Sequence, residues 1–153
     1  MSKLLSVPLK QQPPGSNACW LMCAIMLSDY YNGPGLKAAE ILNHFQLKGD
    51  VTGCGAMTAM FLESEFQLSY TDVGTDPGSY LKYIDHNVPI CLGFARPGGG
   101  HAVLLVGYVN SGGKITFLLN DPAEKAMRSV KDLSNYDGMI LATAYAIGEN
   151  RFS

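Results

Sequence analysis

The sequence predicts an α+β domain in which an apolar central helix packs against an antiparallel sheet. Two observations support this prediction: helical patterns fill the first half of the chain, and β-rich runs separated by turn signals fill the second half. Helices followed by strands, without alternation, are typical of helices packed on an antiparallel sheet. With 153 residues, of which 47% are apolar, we expect a single domain over residues 1–153 with one core.

The central helix is predicted over residues 16–31. Ser16 and Asn17 are favourable capping residues at its start, and the Asn-Gly-Pro-Gly run at 32–35 ends it. Because the intervening residues are apolar nearly all round, this helix should lie in the middle of the domain rather than on its surface.

Four shorter elements are predicted between this helix and the second half of the chain. The first is an amphipathic helix over residues 36–45, whose apolar side chains recur on one face. A third helix is predicted to begin at Gly53 and to run to about residue 66. A short strand over 68–73 and a helix over 77–86 follow it.

The second half is predicted to be a sheet, because its apolar runs are rich in β-branched residues and are bounded by glycine-rich turns. The predicted strands cover residues 88–95, 101–109, 114–120 and 138–147, and the two clearest turns are Pro97-Gly98-Gly99-Gly100 and Asn110-Ser111-Gly112-Gly113.

Charge and hydropathy argue against several partners. The net charge is −2 and no run of lysine or arginine is present, so neither nucleic acid nor a membrane is an expected partner. The longest strongly apolar stretch, residues 18–27, is too short to span a bilayer, and no signal peptide precedes it. The four cysteines lack metal-type spacing, so we expect no metal, no cofactor and reduced thiols.

Cys19 is the predicted nucleophile. It falls in the first turn of the central helix, where unpaired backbone N–H groups and the helix dipole stabilise a thiolate. On this feature alone, a buried apolar cysteine is the more frequent explanation. Cys23 and Cys91 are interpreted as core residues.

His101 is the predicted general base, and Asp121 the predicted orienting residue. His101 follows three glycines at the start of a strand, and Asp121 comes just after the next strand. If the two strands form a hairpin, their outer ends meet and the carboxylate reaches the imidazole. The alternative for Asp121 is a turn or cap before Pro122, and both roles are compatible. His44 and His86 are interpreted as surface residues.

An acyl transfer also needs hydrogen-bond donors for the developing oxyanion. The Cys19 backbone N–H is one predicted donor, and a glutamine side chain from the preceding loop is the other. Gln11 and Gln12 both qualify. Gln12 lies seven residues before Cys19 with two prolines between them, so the choice between the two stays open.

Taken together, these residues resemble the papain-like clan of cysteine peptidases. The resemblance rests on a glutamine, then Asn17-Ala18-Cys19-Trp20, then His101-Ala102-Val103, then Asn120-Asp121, in that order. It extends from about residue 8 to 145 and is strongest with the compact bacterial branch, which includes double-glycine peptidases and effector proteases. The resemblance implies a papain-like fold, a Cys19–His101–Asp121 triad, a protein substrate and cleavage after small residues such as Gly-Gly.

The resemblance also implies a biological setting. The oxyanion glutamine falls within a dozen residues of the first residue, which leaves no room for an inhibitory prosegment. We therefore expect either a domain released from a larger polypeptide or an effector that a dedicated secretion system delivers into the cytoplasm of a target cell, acting as an antibacterial or host-directed toxin. A cognate immunity protein would then restrain it in the producing cell.

Other functions remain open at this point. Deamidases, transglutaminases and cell-wall amidases of the same architecture also use Cys before His before a polar third residue. A non-catalytic binding module is a further alternative. Cys54, which glycines flank at another predicted helix start, is a less favoured nucleophile because no glutamine precedes it at suitable spacing.

Overall fold

The computed structural model describes residues 2–11, 19–32, 68–74, 76–96, 99–131, 133 and 139–147. The predicted helices at 36–45 and 53–66 lie outside these residues, as does the capping start of the central helix. What is described is one central helix, a short second helix and an antiparallel sheet. This architecture confirms the α+β prediction.

The central helix, α1, spans Cys19–Asn32. Its residues from 21 to 29 are all buried, and Met26 and Leu27 have at most 1% of their surface exposed. Burying one such side chain contributes about 1.5–3 kcal/mol, so the all-round apolar pattern of this helix requires an interior position. The helix packs against the long strand that carries His101.

The strands of the described residues are β1 (Lys3–Leu4), β2 (Leu68–Asp72), β3 (Ile90–Arg96), β4 (Gly99–Ser111), β5 (Lys114–Asn120), β6 (Arg128–Val130) and β7 (Met139–Ile147). They form one sheet in the order β2-β7-β3-β4-β5-β6, with β1 paired to β4 beyond the end of β3. Every pairing is antiparallel. The sheet therefore agrees with the prediction for the second half.

The hairpin of β4 and β5 sets the position of the predicted site. Its turn has Gly112 and Gly113 at φ of 60° and 88°, a conformation that glycine adopts without steric cost. From the turn the two strands pair as far as Leu104 and Asn120, which lie opposite each other. Asp121 directly follows this last pair, so the end of β5 lies beside the part of β4 that carries His101.

The predicted turn at 97–100 is wrong in part. Gly99 and Gly100 are strand residues that pair with Arg96 and Ala95 of β3, and His101 is accordingly the third residue of β4 instead of its first. Strand pairing uses backbone groups, which glycine carries like any other residue, so the glycine run did not mark the end of the strand.

Strands β1 and β6 were not predicted. β1 extends the edge of β4 where β3 has ended, and Leu5 continues it by donating its N–H to the Val106 carbonyl at 2.8 Å. Opposite β1 lies Gly107, next to a register shift in β4. A Cβ on Gly107 would lie 2.5 Å from the Lys3 carbonyl oxygen, so glycine is required for this close approach.

The helix predicted over 77–86 is present in two parts. A short 3₁₀ turn at Pro77–Ser79 is capped by Asp76, whose carboxylate accepts from the Gly78 N–H, and α2 (Tyr80–Asp85) follows. Neither helix that the structure describes is long and apolar enough to cross a membrane.

Candidate active site

Cys19 is the first residue of α1 as described, and 4% of its surface is exposed. Burial raises the pKa of the Cys19 thiol, but hydrogen bonding from the His101 side chain and from the Ala102 and Trp20 backbone, together with the charge of His101, outweighs burial and lowers the pKa overall. The arrangement favours the thiolate.

His101 connects Cys19 to Asp121. Its Nε2 lies 2.7 Å from Asp121 Oδ1, and both side chains are at least 90% buried. An ionised carboxylate only accepts hydrogen bonds. Nε2 must therefore carry a proton and donate a hydrogen bond to Asp121. The other ring nitrogen, Nδ1, is then the one available to take a proton from the Cys19 thiol.

The charge state of His101 follows from its neighbours. Burial lowers the pKa of the imidazole, but hydrogen bonds to Asp121 and Cys19, with their negative charges, raise it to about 9 from its usual 6.5. With the Cys19 pKa lowered, the two residues favour a thiolate–imidazolium pair at neutral pH. Such a pair is a nucleophile that has already given up its proton.

One carboxylate oxygen of Asp121 accepts hydrogen bonds from two donors. Oδ1 accepts from His101 and also from the Ala123 N–H at 2.9 Å, while the Asp121 carbonyl accepts from the Glu124 N–H. The carboxylate therefore takes part in a turn and binds the histidine at the same time, the two roles that the sequence left compatible. The turn backbone therefore helps to fix the orientation of the carboxylate.

The predicted oxyanion glutamines are placed only in part. Gln11 is exposed at the end of the N-terminal segment, and Gln12 lies outside the described residues. Both assignments stay predictions. The Cys19 backbone N–H likewise stays a predicted oxyanion donor.

The other cysteines that the structure describes lie in the core, and the other described histidine lies on the surface, as the sequence predicted. Cys23 and Cys91 are both buried. Burial, together with Cys91, raises the pKa of the Cys23 thiol well above its usual value, which makes it unreactive. His86 is exposed, with Nδ1 2.7 Å from the Lys82 carbonyl. His44 and Cys54 lie outside the described residues.

Sequence reasoning missed the Ala102 backbone N–H, which helps to lower the pKa of the Cys19 thiol. Ala102 directly follows His101 in β4, so one strand supplies both groups that act on Cys19. No residue type announces such a donor, because every residue except proline carries the same backbone N–H.

The chain is similar to known cysteine peptidases in sequence and in fold. A family model described as papain-like cysteine protease AvrRpt2 matches residues 1–139. A C39-like peptidase from Bacillus anthracis superposes with a TM-score of 0.69 at 15% identity, covering 100% of both chains. Digestive procathepsin L 3 from the larval midgut of Tenebrio molitor superposes at 0.66 and 12% identity, covering 95% of this chain and 69% of its own.

At identities this low, the two structural likenesses show a shared papain-like fold. No curated protein sequence matches the chain.

Proposed function

This chain belongs to the family of papain-like cysteine protease AvrRpt2 and is therefore a cysteine protease; on that premise we propose that Cys19, His101 and Asp121 are its catalytic triad. Cys19 is the nucleophile, His101 the general acid and base, and Asp121 the residue that orients and charges the imidazole. The observation that carries this proposal is the buried 2.7 Å hydrogen bond between His101 Nε2 and Asp121 Oδ1, together with a Cys19 thiol whose pKa His101 lowers.

The reaction begins with attack of the Cys19 thiolate on the carbonyl carbon of the scissile peptide bond. The carbonyl electron pair moves onto oxygen, and the resulting oxyanion accepts hydrogen bonds from the Cys19 backbone N–H and a glutamine side chain, Gln11 or Gln12. When the C–N bond breaks, the His101 imidazolium gives its proton to the leaving amine. This leaves a thioester on Cys19 and a neutral histidine.

Deacylation uses the same groups in reverse. Neutral His101 takes a proton from water as the water oxygen attacks the thioester carbonyl, and a second oxyanion forms in the same place. Its collapse breaks the C–S bond, releases the carboxylic acid product and restores the thiolate–imidazolium pair. Asp121 keeps its negative charge throughout and stabilises the imidazolium whenever it forms.

The substrate we propose is a protein cut after small residues, with Gly-Gly as the first candidate. This specificity comes from the resemblance to double-glycine peptidases alone. Labelling of new N-termini in a proteome treated with wild type or Cys19→Ala tests it. Termini that follow Gly-Gly and depend on Cys19 support the specificity, and termini after bulky residues contradict it.

The same experiment separates proteolysis from the related chemistries. A transglutaminase would join a glutamine side chain to an amine, and a deamidase would convert a side-chain amide to an acid, both without cutting the main chain. Cys19-dependent changes in side-chain mass without new N-termini would therefore contradict an endopeptidase.

We further propose that the protein acts as a bacterial effector in the cytoplasm of a target cell and that a cognate immunity protein restrains it. The support is the resemblance to compact bacterial effector proteases. Expression in a bacterial cytoplasm, comparing wild type with Cys19→Ala, tests this role. Growth arrest by wild type alone supports a toxin, whereas equal growth with fully active enzyme and no protective partner contradicts it.

A further inference from the structure

The N-terminal segment, residues 5–11, runs from a contact with the sheet to a contact with α1. At its start the Leu5 N–H donates to Val106 of β4. Near its end Lys10 Nζ lies 3.9 Å from the buried carboxylate of Asp29 in α1. The segment ends at Gln11, the first of the two candidate oxyanion glutamines. Its position therefore limits where either glutamine can lie.

The buried attachment of this segment is the side chain of Asn120. Its Nδ2 donates to the Val7 carbonyl oxygen at 2.7 Å, across 113 residues of sequence. Asn120 is 2% exposed and Val7 is 8% exposed, so this bond is shielded from water. A buried carbonyl that loses its donor cannot readily replace it with solvent, so removing the amide forces the segment to move or leaves the carbonyl unpaired.

Asn120 also directly precedes Asp121 in the chain. The two residues end β5, and Asn120 is fixed by its pairing with Leu104 of β4. One dipeptide therefore makes two long-range bonds: Asp121 to the His101 imidazole, and Asn120 to the N-terminal segment. Because Asn120 and Asp121 are joined by one peptide unit, a displacement of Asn120 also displaces the carboxylate that binds His101.

We propose that Asn120 is a positioning residue for acyl transfer. By binding Val7, it holds residues 5–11, the part of the chain that leads to the two candidate oxyanion glutamines, beside His101 and Asp121. The inference rests on the proposed function and deepens it, because it assigns a residue that sets the geometry of the oxyanion site without contacting substrate.

Two reactions of the same cysteine separate positioning of the oxyanion site from general damage. Alkylation of Cys19 by iodoacetamide is a displacement at a saturated carbon, which requires the thiolate but creates no oxyanion. Acylation by a p-nitrophenyl ester of blocked glycine passes through a tetrahedral oxyanion and therefore requires the donors. Loss of the bond from Asn120 to Val7 should slow the acylation and leave the alkylation rate unchanged.

The experiment measures both rate constants on Asn120→Leu, which has nearly the same shape but no amide. Asn120→Asp is the second variant, because at neutral pH its carboxylate faces the Val7 carbonyl as a second acceptor. Asn110→Ala is the matched control: Asn110 lies at the turn end of the same hairpin and accepts from the Gly113 N–H in an exposed bond.

We expect acylation to fall by about 10- to 100-fold in both Asn120 variants, with alkylation within about twofold of wild type. The control should change neither rate. Both are measured per reactive thiol by titration, so partial loss of folded protein affects neither value.

If acylation and alkylation slow equally, or if neither reaction slows, the role of Asn120 in positioning is overturned. That role is also overturned if neither variant yields any reactive thiol, because Asn120 would then be a residue needed for folding. These results are distinct from failure of the proposed function itself, which would appear as wild-type protein that is neither alkylated nor acylated at Cys19.

Discussion

Replacing Asp121 with Asn removes the negative charge beside His101 while keeping the volume of the side chain. In the native site Oδ1 accepts from both His101 Nε2 and the Ala123 N–H. An Asn oxygen in the place of Oδ1 can still accept from both groups, but the side chain is neutral. The imidazolium of His101 then loses the negative charge that stabilises it, and His101 becomes a weaker base toward the Cys19 thiol.

The size of the effect follows from the pKa of His101. Raising that pKa from 6.5 to about 9 corresponds to about 3 kcal/mol in favour of the imidazolium, since one pKa unit is about 1.4 kcal/mol. The hydrogen bond to Asp121 is the largest of the contributions that raise it. Losing between half and all of this stabilisation slows peptide hydrolysis by about 10- to 100-fold at neutral pH.

The pH dependence gives a second measure of the same effect. A raised pKa means that the imidazolium persists up to about pH 9 in the native site and is lost above it. In Asp121→Asn the imidazolium is lost at lower pH, so the alkaline limb of kcat/KM should move toward neutrality. The limb is read from hydrolysis of a fluorogenic peptide amide, whose leaving group requires a proton.

Asp85→Asn is the matched control for this prediction. Asp85 also accepts a short hydrogen bond, from the Tyr108 hydroxyl at 2.6 Å, but it makes no bond to the triad residues. It should leave the alkaline limb in place. An alkaline limb that is the same in Asp121→Asn and wild type would refute the assignment of Asp121 as the source of the raised His101 pKa.

The remaining predictions concern residues around the site. Gly107→Ala places a Cβ 2.5 Å from the Lys3 carbonyl oxygen, so we expect thermal unfolding to show a loss of about 1–3 kcal/mol. Gly78→Ala, whose Cβ would lie 3.5 Å from its nearest neighbour, should cost less than about 0.5 kcal/mol, and equal losses would contradict the close approach of β1. Cys23→Ala removes a buried thiol and should lower stability by about 1 kcal/mol while the alkylation rate of Cys19 stays close to wild type. A large drop in that rate would mean that Cys23 takes part in activating the nucleophile.

The central helix and the hairpin that places the base were predictable because strong local patterns encode them. An apolar helix with no polar face can only be buried, and α1 is buried along most of its length. Of the predicted Asn-Ser-Gly-Gly turn, Gly112 and Gly113 form the turn between β4 and β5, whereas Asn110 and Ser111 belong to β4. β5 has the bounds that were predicted. Once the hairpin is known, the proximity of His101 and Asp121 follows from the chain alone.

The short strands were not predictable in this way. β1 has two residues and β6 has three, too few for an alternating pattern to be recognised. They form because the edges of β4 and β5 offer backbone groups for pairing. The turn prediction for Gly99 and Gly100 was wrong for a related reason. Their pairing with β3 depends on the neighbouring strand and not on their own strand propensity.

For the candidate site, residue type and order led to the predicted side chains, whereas the backbone and long-range contacts appear only in the fold. Cys19, His101 and Asp121 were named from chemistry and spacing. The Ala102 N–H that helps to lower the pKa of the Cys19 thiol has no signature in sequence, and the bond from Asn120 to Val7 joins residues 113 positions apart. Contacts of this kind depend on the register of strands, which a single sequence does not specify.

The most direct test of the triad is labelling with a thiol-reactive peptide epoxide, followed by intact-mass measurement and mapping of the modified residue. Wild type, Cys19→Ala and His101→Ala are compared. We predict one label per chain, located at Cys19, absent from Cys19→Ala and strongly slowed in His101→Ala, because the histidine sustains the thiolate. Slow labelling of several cysteines, independent of His101, would contradict the triad and identify Cys19 as a packed residue of the helix.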